Sequence, residues 1–402
     1  SSSSMTRFAI ARRLHGTRHG ASCLNLASRS RTWSSSARAA PESGYVQERL
    51  VSSTSLAEVL DLIHSGPDRW GRISLSTAWH RLGKFADRSR DKRGIKDAMR
   101  RLSDVHLAKG FEGYKPRNLG NIIWAWGKLQ YRDGTVVQAG CKMVVDAPEK
   151  FAARDLSNIV YALALMRHKH WDLLASVGDH LPGRTAEFSP QGVSNMLYAW
   201  ALLGYKRRPV LRALCDSALG TLADYKPQEL SIVVYACGML DFRHEDLIAE
   251  ACQQTSRRLA ELSEQNISNI VHGLGRLEFK CADTLRAVCS HSISRLPGFT
   301  AQGIANTAYG LGTLRFRDDE FVRALCQHIP SRVTEFTPQN LGNTAFAFGS
   351  MKFRVAGVVR CERDQRKTSS ASRSVEREDR TCSDRVAKTF FKWNSRSNQQ
   401  VF

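Results

Sequence analysis

Six cations stand 37 residues apart in this chain: Arg132, Lys169, Lys206, Arg243, Lys280 and Arg317, with Arg354 a seventh at the same interval. Single positive charges at fixed spacing match a polymer of regularly spaced negative charge, and a phosphate backbone is the obvious one. Eleven residues before the first six cations and Arg354 lies a second row, Asn121, Asn158, Asn195, Asn269, Asn306 and Asn343, broken once by Ile232. An amide donates and accepts side by side, the chemistry that reads the edge of an unstacked base. Three residues earlier the chain varies among Asn118, Asp155, Glu229, Asn266 and Asn340, with Gly192 and Gly303 between them. Variation beside constant neighbours is what a modular reader of bases needs. Each row also has a plainer reading. A cation past a helix end complements the macrodipole and caps carbonyls, an Asn repeated in register satisfies backbone groups of the next unit, and a solvated first-turn position drifts freely.

The elements that must hold these rows repeat with them. Tyr114, Phe151, Phe188, Tyr225, Leu262, Phe299 and Phe336 each open a copy of a 19-residue stretch, with no insertion in any 37-residue interval. Counting the opening residue as position 1, Ser or Thr is common at position 2 and Pro at position 3, as in Ser189-Pro190 and Thr337-Pro338. A hydroxyl cap followed by proline in the first turn is a helix start. Apolar residues then follow the helical period, as in Leu230, Val233, Val234, Cys237 and Leu240, and the helix is predicted to end near position 17. A second apolar pattern, such as RPVLRALCDSAL from Arg208, makes each unit a two-helix hairpin. Hairpins at a fixed period, each unable to bury its own apolar face, predict an all-α solenoid of about seven repeats. Positions 5, 8, 12, 15 and 19 are predicted to share one face, with only Ala or Gly at position 12 letting bases approach. Small residues at positions 7 and 14 are expected to let successive first helices pack closely. The aromatics at position 11, Trp124, Tyr161, Tyr198, Tyr235, Tyr309 and Phe346, read as core between repeats, with a base-stacking platform as the other reading.

Charge divides the 402 residues. The formal charge is +21, of which residues 1–41 carry seven, without one Asp or Glu, and residues 354–402 carry six. The excess over residues 42–353 is therefore eight. Arg-rich, Ser-rich and acid-free, residues 1–41 have the composition of an organellar transit peptide, disordered until imported, with Met5 as its expected start. Residues 42–113 are expected as a helical cap containing a degenerate copy at LSTAWHRLGKF from Leu75, residues 114–353 as the array, and residues 354–402 as a disordered charged tail. The last copy lacks an apolar second helix, as a truncated or alternatively spliced product would, which predicts an uncovered edge at Phe346 and Phe348. No apolar run reaches the length of a membrane span. Cys141, Cys215, Cys252, Cys289 and Cys326 share position 28 and read as core thiols rather than metal or disulfide partners. Neither GLG at Gly273 and Gly310 nor the turn holding His168, Lys169 and His170 makes a catalytic constellation. No catalytic residue, metal or cofactor is predicted.

The unit F-x-P-Q-x-L-x-N-x-x-Y-A-x-x-x-L-x-F-[KR], over Tyr114 to Phe353, resembles the heptatricopeptide and octotricopeptide repeats of organellar RNA-binding proteins. It is similar also to repeats of FAST-kinase-like mitochondrial proteins and of subunits of the kinetoplastid mitochondrial RNA-editing substrate-binding complex. The resemblance implies an α-solenoid that binds single-stranded organellar RNA along its concave face, as an adaptor in processing, stability, editing or translation. It implies other RNA-processing proteins as further partners, and a mitochondrial matrix or, alternatively, a chloroplast stroma location. The RAP domain that ends many such proteins is not found here. A protein-protein scaffold of the α-solenoid type is the competing function.

Overall fold

In the computed structural model, residues 42–86 and 89–352 are described, and every regular element among them is helical. The expectations placed on residues 1–41, on Arg354 and on residues 354–402 lie outside these residues. Two helices, α1 (Glu42–Ser52) and α2 (Leu56–His64), precede the hairpin of α3 (Arg72–Phe85) and α4 (Lys92–Lys109). The repeats follow as α5 (Pro116–Leu129) with α6 (Gly134–Asp146), α7 (Ala153–Met166) with α8 (Trp171–His180), and α9 (Pro190–Leu203) with α10 (Arg208–Leu219). Then come α11 (Pro227–Leu240) with α12 (Glu245–Arg257), α13 (Glu264–Arg276) with α14 (Ala282–Ile293), α15 (Ala301–Thr313) with α16 (Asp319–His328), and α17 (Pro338–Ser350). The chain is an α-solenoid.

The helix starts follow the residues that predict them. The Ser189, Ser263, Thr300 and Thr337 hydroxyls accept from the backbone N–H three residues on. At the other end the chain turns into the left-handed region at position 17 of every repeat, at Gln130, Arg167, Gly204, Asp241, Glu278, Arg315 and Lys352. Only one of these is glycine, so a strained turn is held in place mainly by the packing of the apolar residue that follows. Phe242, Phe316 and Tyr131 are buried there.

Each first helix packs far more extensively on the next first helix than the second helices pack on one another. The reason is the crossing of position 14 with position 12 of the following repeat. A Cβ added at Gly127 would lie 2.6 Å from Ala162 Cα, one at Gly275 2.6 Å from Gly310 Cα, and one at Gly312 2.6 Å from Ala347 Cα. Only hydrogen fits there, so these backbones touch directly. The five cysteines at position 28 are buried free thiols on the second helices, with Cys141 held well above its ordinary pKa by burial.

α3 and α4 pack as one more hairpin before α5: a Cβ at Gly83 would meet Ala125 at 3.2 Å, the same crossing one unit earlier. At the far end Phe346 is 51% exposed, whereas Phe348, expected on the same uncovered edge, is buried.

Candidate nucleic-acid interface

The exposed stripe of the first-helix layer is not the predicted one. Position 12 is buried in the crossing with the preceding repeat, so Ala125, Ala162, Ala199, Ala236 and Ala347 face a helix and not a groove. Position 5 turns the same way. Asn266 Nδ2 donates to Ser231 Oγ of the preceding repeat at 3.1 Å, and its Oδ1 accepts from the Ser263 backbone N–H at 3.1 Å. Glu229 Oε2 accepts from the Lys226 N–H at 2.9 Å. Asp155 and Asn340 are buried, burial holding the Asp155 carboxyl above its ordinary pKa, while Asn118 is half-buried. The expectation that these side chains stand clear of the core is thus corrected: position 5 caps helix starts and fills the seam between repeats.

The most open rows lie one residue to the side, at positions 4 and 15, with the largely buried positions 8 and 11 between them. Position 4 holds Arg117, Arg154, Gln191, Gln228, Gln265, Gln302 and Gln339, all exposed or half-exposed. Sequence reading passed over this row, although its near-constant Gln beside the first-turn proline was the signal. Position 15 holds Lys128, Leu165, Leu202, Met239, Arg276, Thr313 and Ser350, likewise partly open.

Between them lie the Asn row and a row of rings. Asn195 and Asn306 are each 7% exposed, and Asn121, Asn158 and Asn343 are half-buried. None of these five makes a side-chain hydrogen bond among the described residues, and the amide atoms of Asn195 and Asn306 stay open to water although the residues are largely buried. Asn269 is the exception, its Oδ1 accepting from Gln265 Nε2 at 2.9 Å. The plainer reading, amides serving backbone of the next unit, finds no such bond here.

Position 11 forms a ladder of rings from Tyr161 to Phe346. Ring centroids lie 6.4 Å apart for Tyr161 and Tyr198, 6.3 Å for Tyr198 and Tyr235, 5.5 Å for Tyr235 and His272, 5.8 Å for His272 and Tyr309, and 5.4 Å for Tyr309 and Phe346. A separate ring pair precedes it, His80 in α3 and Trp124, 5.0 Å apart. Tyr161, Tyr198 and Tyr235 are buried against their neighbours, so the rings are core between repeats, as expected. Burial raises the Tyr161 hydroxyl to about 12 and lowers His272 to about 4. His272, passed over in the sequence, completes the series as a neutral flat ring.

The six cations at position 19 are all exposed along the edge where the first helices end. They are not equivalent. Arg243 pairs with Glu245 at 2.6 Å and lies over the Phe279 ring at 5.3 Å. Arg317 pairs with Asp319 and donates to the Lys352 carbonyl at 3.3 Å. Lys169 and Lys280 sit over Trp171 and Phe316, while Arg132 and Lys206 have no partner among the described residues. Only Arg317 caps a carbonyl, and it belongs to the following repeat. Carbonyl duty falls instead to position 34, missed in the sequence: Arg184, Arg258 and Arg295 donate to the carbonyls of Phe151, Tyr225 and Leu262 at 2.7 to 3.0 Å. His170, from the turn once weighed for chemistry, accepts from the Leu173 N–H as an N-cap.

The family model of the RNA-editing substrate-binding complex 6 protein matches residues 95–331 and, in a second register, residues 228–374. The chain belongs to that family. The two spans overlap, as an internally repeated sequence allows. No curated protein matches the chain. Among the described residues no helix is long and apolar enough to cross a membrane, and no group of three metal-ligating side chains occurs.

Proposed function

We propose that this array is a non-catalytic adaptor that holds single-stranded organellar RNA across its first helices and works with the other proteins of an RNA-editing substrate-binding complex. The observation that carries the reading is the row of amides that make no hydrogen bond among the described residues, Asn195 and Asn306 above all, in register with exposed position-19 cations. Cations along one edge meet phosphates, and amides on the stripe meet base edges. The family's name supports RNA editing as the process, and the acid-free, Arg-rich residues 1–41 support import into an organelle, with the mitochondrial matrix as our reading and the chloroplast stroma as the alternative. The finer kinship with heptatricopeptide and octotricopeptide repeats rests on the shared unit alone.

Fluorescence anisotropy with the full chain tests this reading. A single-stranded RNA should bind, the matching duplex should bind less, and the double variant Asn195→Ala, Asn306→Ala should weaken single-strand binding with folding intact. Equal binding of duplex and single strand, or an unaffected double variant, defeats it. The protein scaffold draws on Leu165, Leu202 and Met239, which make the middle of the stripe apolar. A peptide that displaces bound RNA from this segment would favour it.

A further inference from the structure

Cys252 and Cys281 share one open cleft between the second helices of the fourth and fifth repeats, lined also by Ser256, Phe279 and Thr284. Cys252 lies on the buried side of α12. Cys281 stands at position 20, the residue that opens each second helix. Asp133, His170, His244 and Asp318 at that position accept from a backbone N–H of their own helix. Cys281 makes no such cap, and its thiol instead meets that of Cys252 across the seam. Thr284, in the first turn of α14, donates to the Cys252 carbonyl at 3.2 Å and accepts from Ser256 Oγ at 3.0 Å, which ties the two helices together beside the thiols.

The pair is unlike the other thiols. Cys141, Cys215 and Cys289 are fully buried, and Cys215 meets Cys237 in the core with the sulfurs 4.0 Å apart. Burial keeps such thiols protonated and inert. Cys281 is only half-buried and stands at a helix N-terminus. A hydrogen bond from the Cys252 thiol, helped by Thr284 and the backbone and opposed by burial, holds it below the ordinary cysteine range. The same contact together with burial pushes Cys252 up. A thiolate that water can reach, touching a thiol held protonated, is a nucleophile with a partner.

We propose that Cys252 and Cys281 are a redox-active dithiol that a peroxide oxidises to a disulfide between the fourth and fifth repeats. The Cys281 sulfur attacks one peroxide oxygen, the O–O bond breaks, and the proton that Cys281 had released joins the leaving hydroxide as water. The Cys252 sulfur then attacks the sulfenic acid so formed. The S–S bond forms, the S–O bond breaks, and hydroxide leaves with the Cys252 proton as a second water. Two thiols and one peroxide become one disulfide and two waters, the sulfurs oxidised and the peroxide reduced. The bond crosses the seam between α12 and α14, in the layer where neighbouring helices pack less extensively, and it raises the cost of opening that seam. It also lies beside the cation edge: Lys280 precedes Cys281, and Phe279 in the cleft carries the Arg243 guanidinium over its ring at 5.3 Å.

The full chain, reduced and then given equimolar hydrogen peroxide at neutral pH, tests the pair. Digestion without reductant should yield peptides joined through Cys252 and Cys281, separated again by dithiothreitol. Cys252→Ser should stop Cys281 at a sulfenic acid that dimedone traps, and Cys281→Ser should leave Cys252 a thiol, with melting curves establishing that both variants fold. Before oxidation, iodoacetamide should alkylate Cys281 about tenfold faster at pH 7 than an ordinary exposed cysteine, of which about 3% is thiolate there. Amide hydrogens of α12 and α14 should exchange more slowly in the oxidised chain. Cys215 and Cys237 should stay reduced, which shows that the oxidised molecules were folded. Free Cys252 and Cys281 thiols after peroxide, or a bond from either to another cysteine, overturn the dithiol, and unchanged exchange overturns the tie between repeats.

Discussion

The unequal surroundings of the position-19 cations make a quantitative expectation. Arg132, Lys169, Lys206 and Lys280 have no acidic partner among the described residues, whereas Arg243 and Arg317 are each bound to a carboxylate of the following helix, Glu245 and Asp319. Both sets are exposed and share one edge. If the edge meets phosphates, changing the four unpaired cations together to Gln removes up to about 0.7 units of salt slope per contact, about 2.8 in all. Between 50 and 200 mM salt, a span of about 0.6 in the logarithm, the intact chain should then lose about fiftyfold more affinity than the variant. The paired set behaves differently. A guanidinium already neutralised by a neighbouring carboxylate releases less counterion, so Arg243→Gln with Arg317→Gln should lower the slope by less per site. Breaking such exposed pairs costs at most about 1 kcal/mol of stability each, so folding should survive. The assay is the affinity of one single-stranded RNA measured at four or five salt concentrations for the intact chain and both variants. An unchanged slope in the folded fourfold variant refutes the phosphate edge, and a paired set as effective per site as the unpaired set refutes the part played by Glu245 and Asp319.

Two further expectations concern the scaffold. Gly275→Ala places a methyl 2.6 Å from Gly310 Cα and should destabilise the array by about 1–3 kcal/mol, whereas Gly349→Ala, with nothing within 4 Å, should be neutral or stabilise by up to about 1 kcal/mol. Thermal melting of the two variants separates the effects. Burial depresses both His106 and His272 to about 4, so the unfolded chain takes up protons first as pH falls through 6.5. Their contribution is full above that pH and is lost down to about pH 4, with a slope of up to about 1.4 kcal/mol per pH unit for each histidine. Denaturant titrations from pH 7 to 4 should show the decline, and His272→Phe should flatten it.

The period, the hairpins and the helix starts were legible because each depends on residues close in sequence, such as Ser189 before Pro190. The small residues at position 14 were legible too, since only a close backbone crossing explains Gly127, Gly238, Gly275 and Gly312 at one register. What failed was the direction in which the first helix faces. Spacing places positions 5, 8 and 12 together as readily as 4, 8 and 11, and the choice depends on where the preceding helix crosses, which is a tertiary fact. Asn266 looked like a free reader because its bond to Ser231 spans two repeats. Arg184, Arg258 and Arg295 were passed over for the same reason, since their carbonyl partners lie 33 residues away. His272 was missed by residue type alone: a histidine does not read as a ring until Tyr235 and Tyr309 are seen on either side of it.

The crossing of positions 12 and 14 also links the fold to the proposed reading. Larger residues at that crossing would hold the first helices farther apart, toward about 10 Å between axes, and loosen the contacts between rings at position 11. With Gly238 against Gly273 and Gly275 against Gly310, the backbones close up and the Tyr235, His272 and Tyr309 rings come within 5.5 to 5.8 Å. The Asn row lies three residues before the rings on the same helices, and the Asn195 and Asn306 amides make no hydrogen bond to the protein while their polar atoms stay open to water. A ligand must therefore replace water on these amides, which favours a base edge that matches their donor and acceptor over an apolar group that cannot.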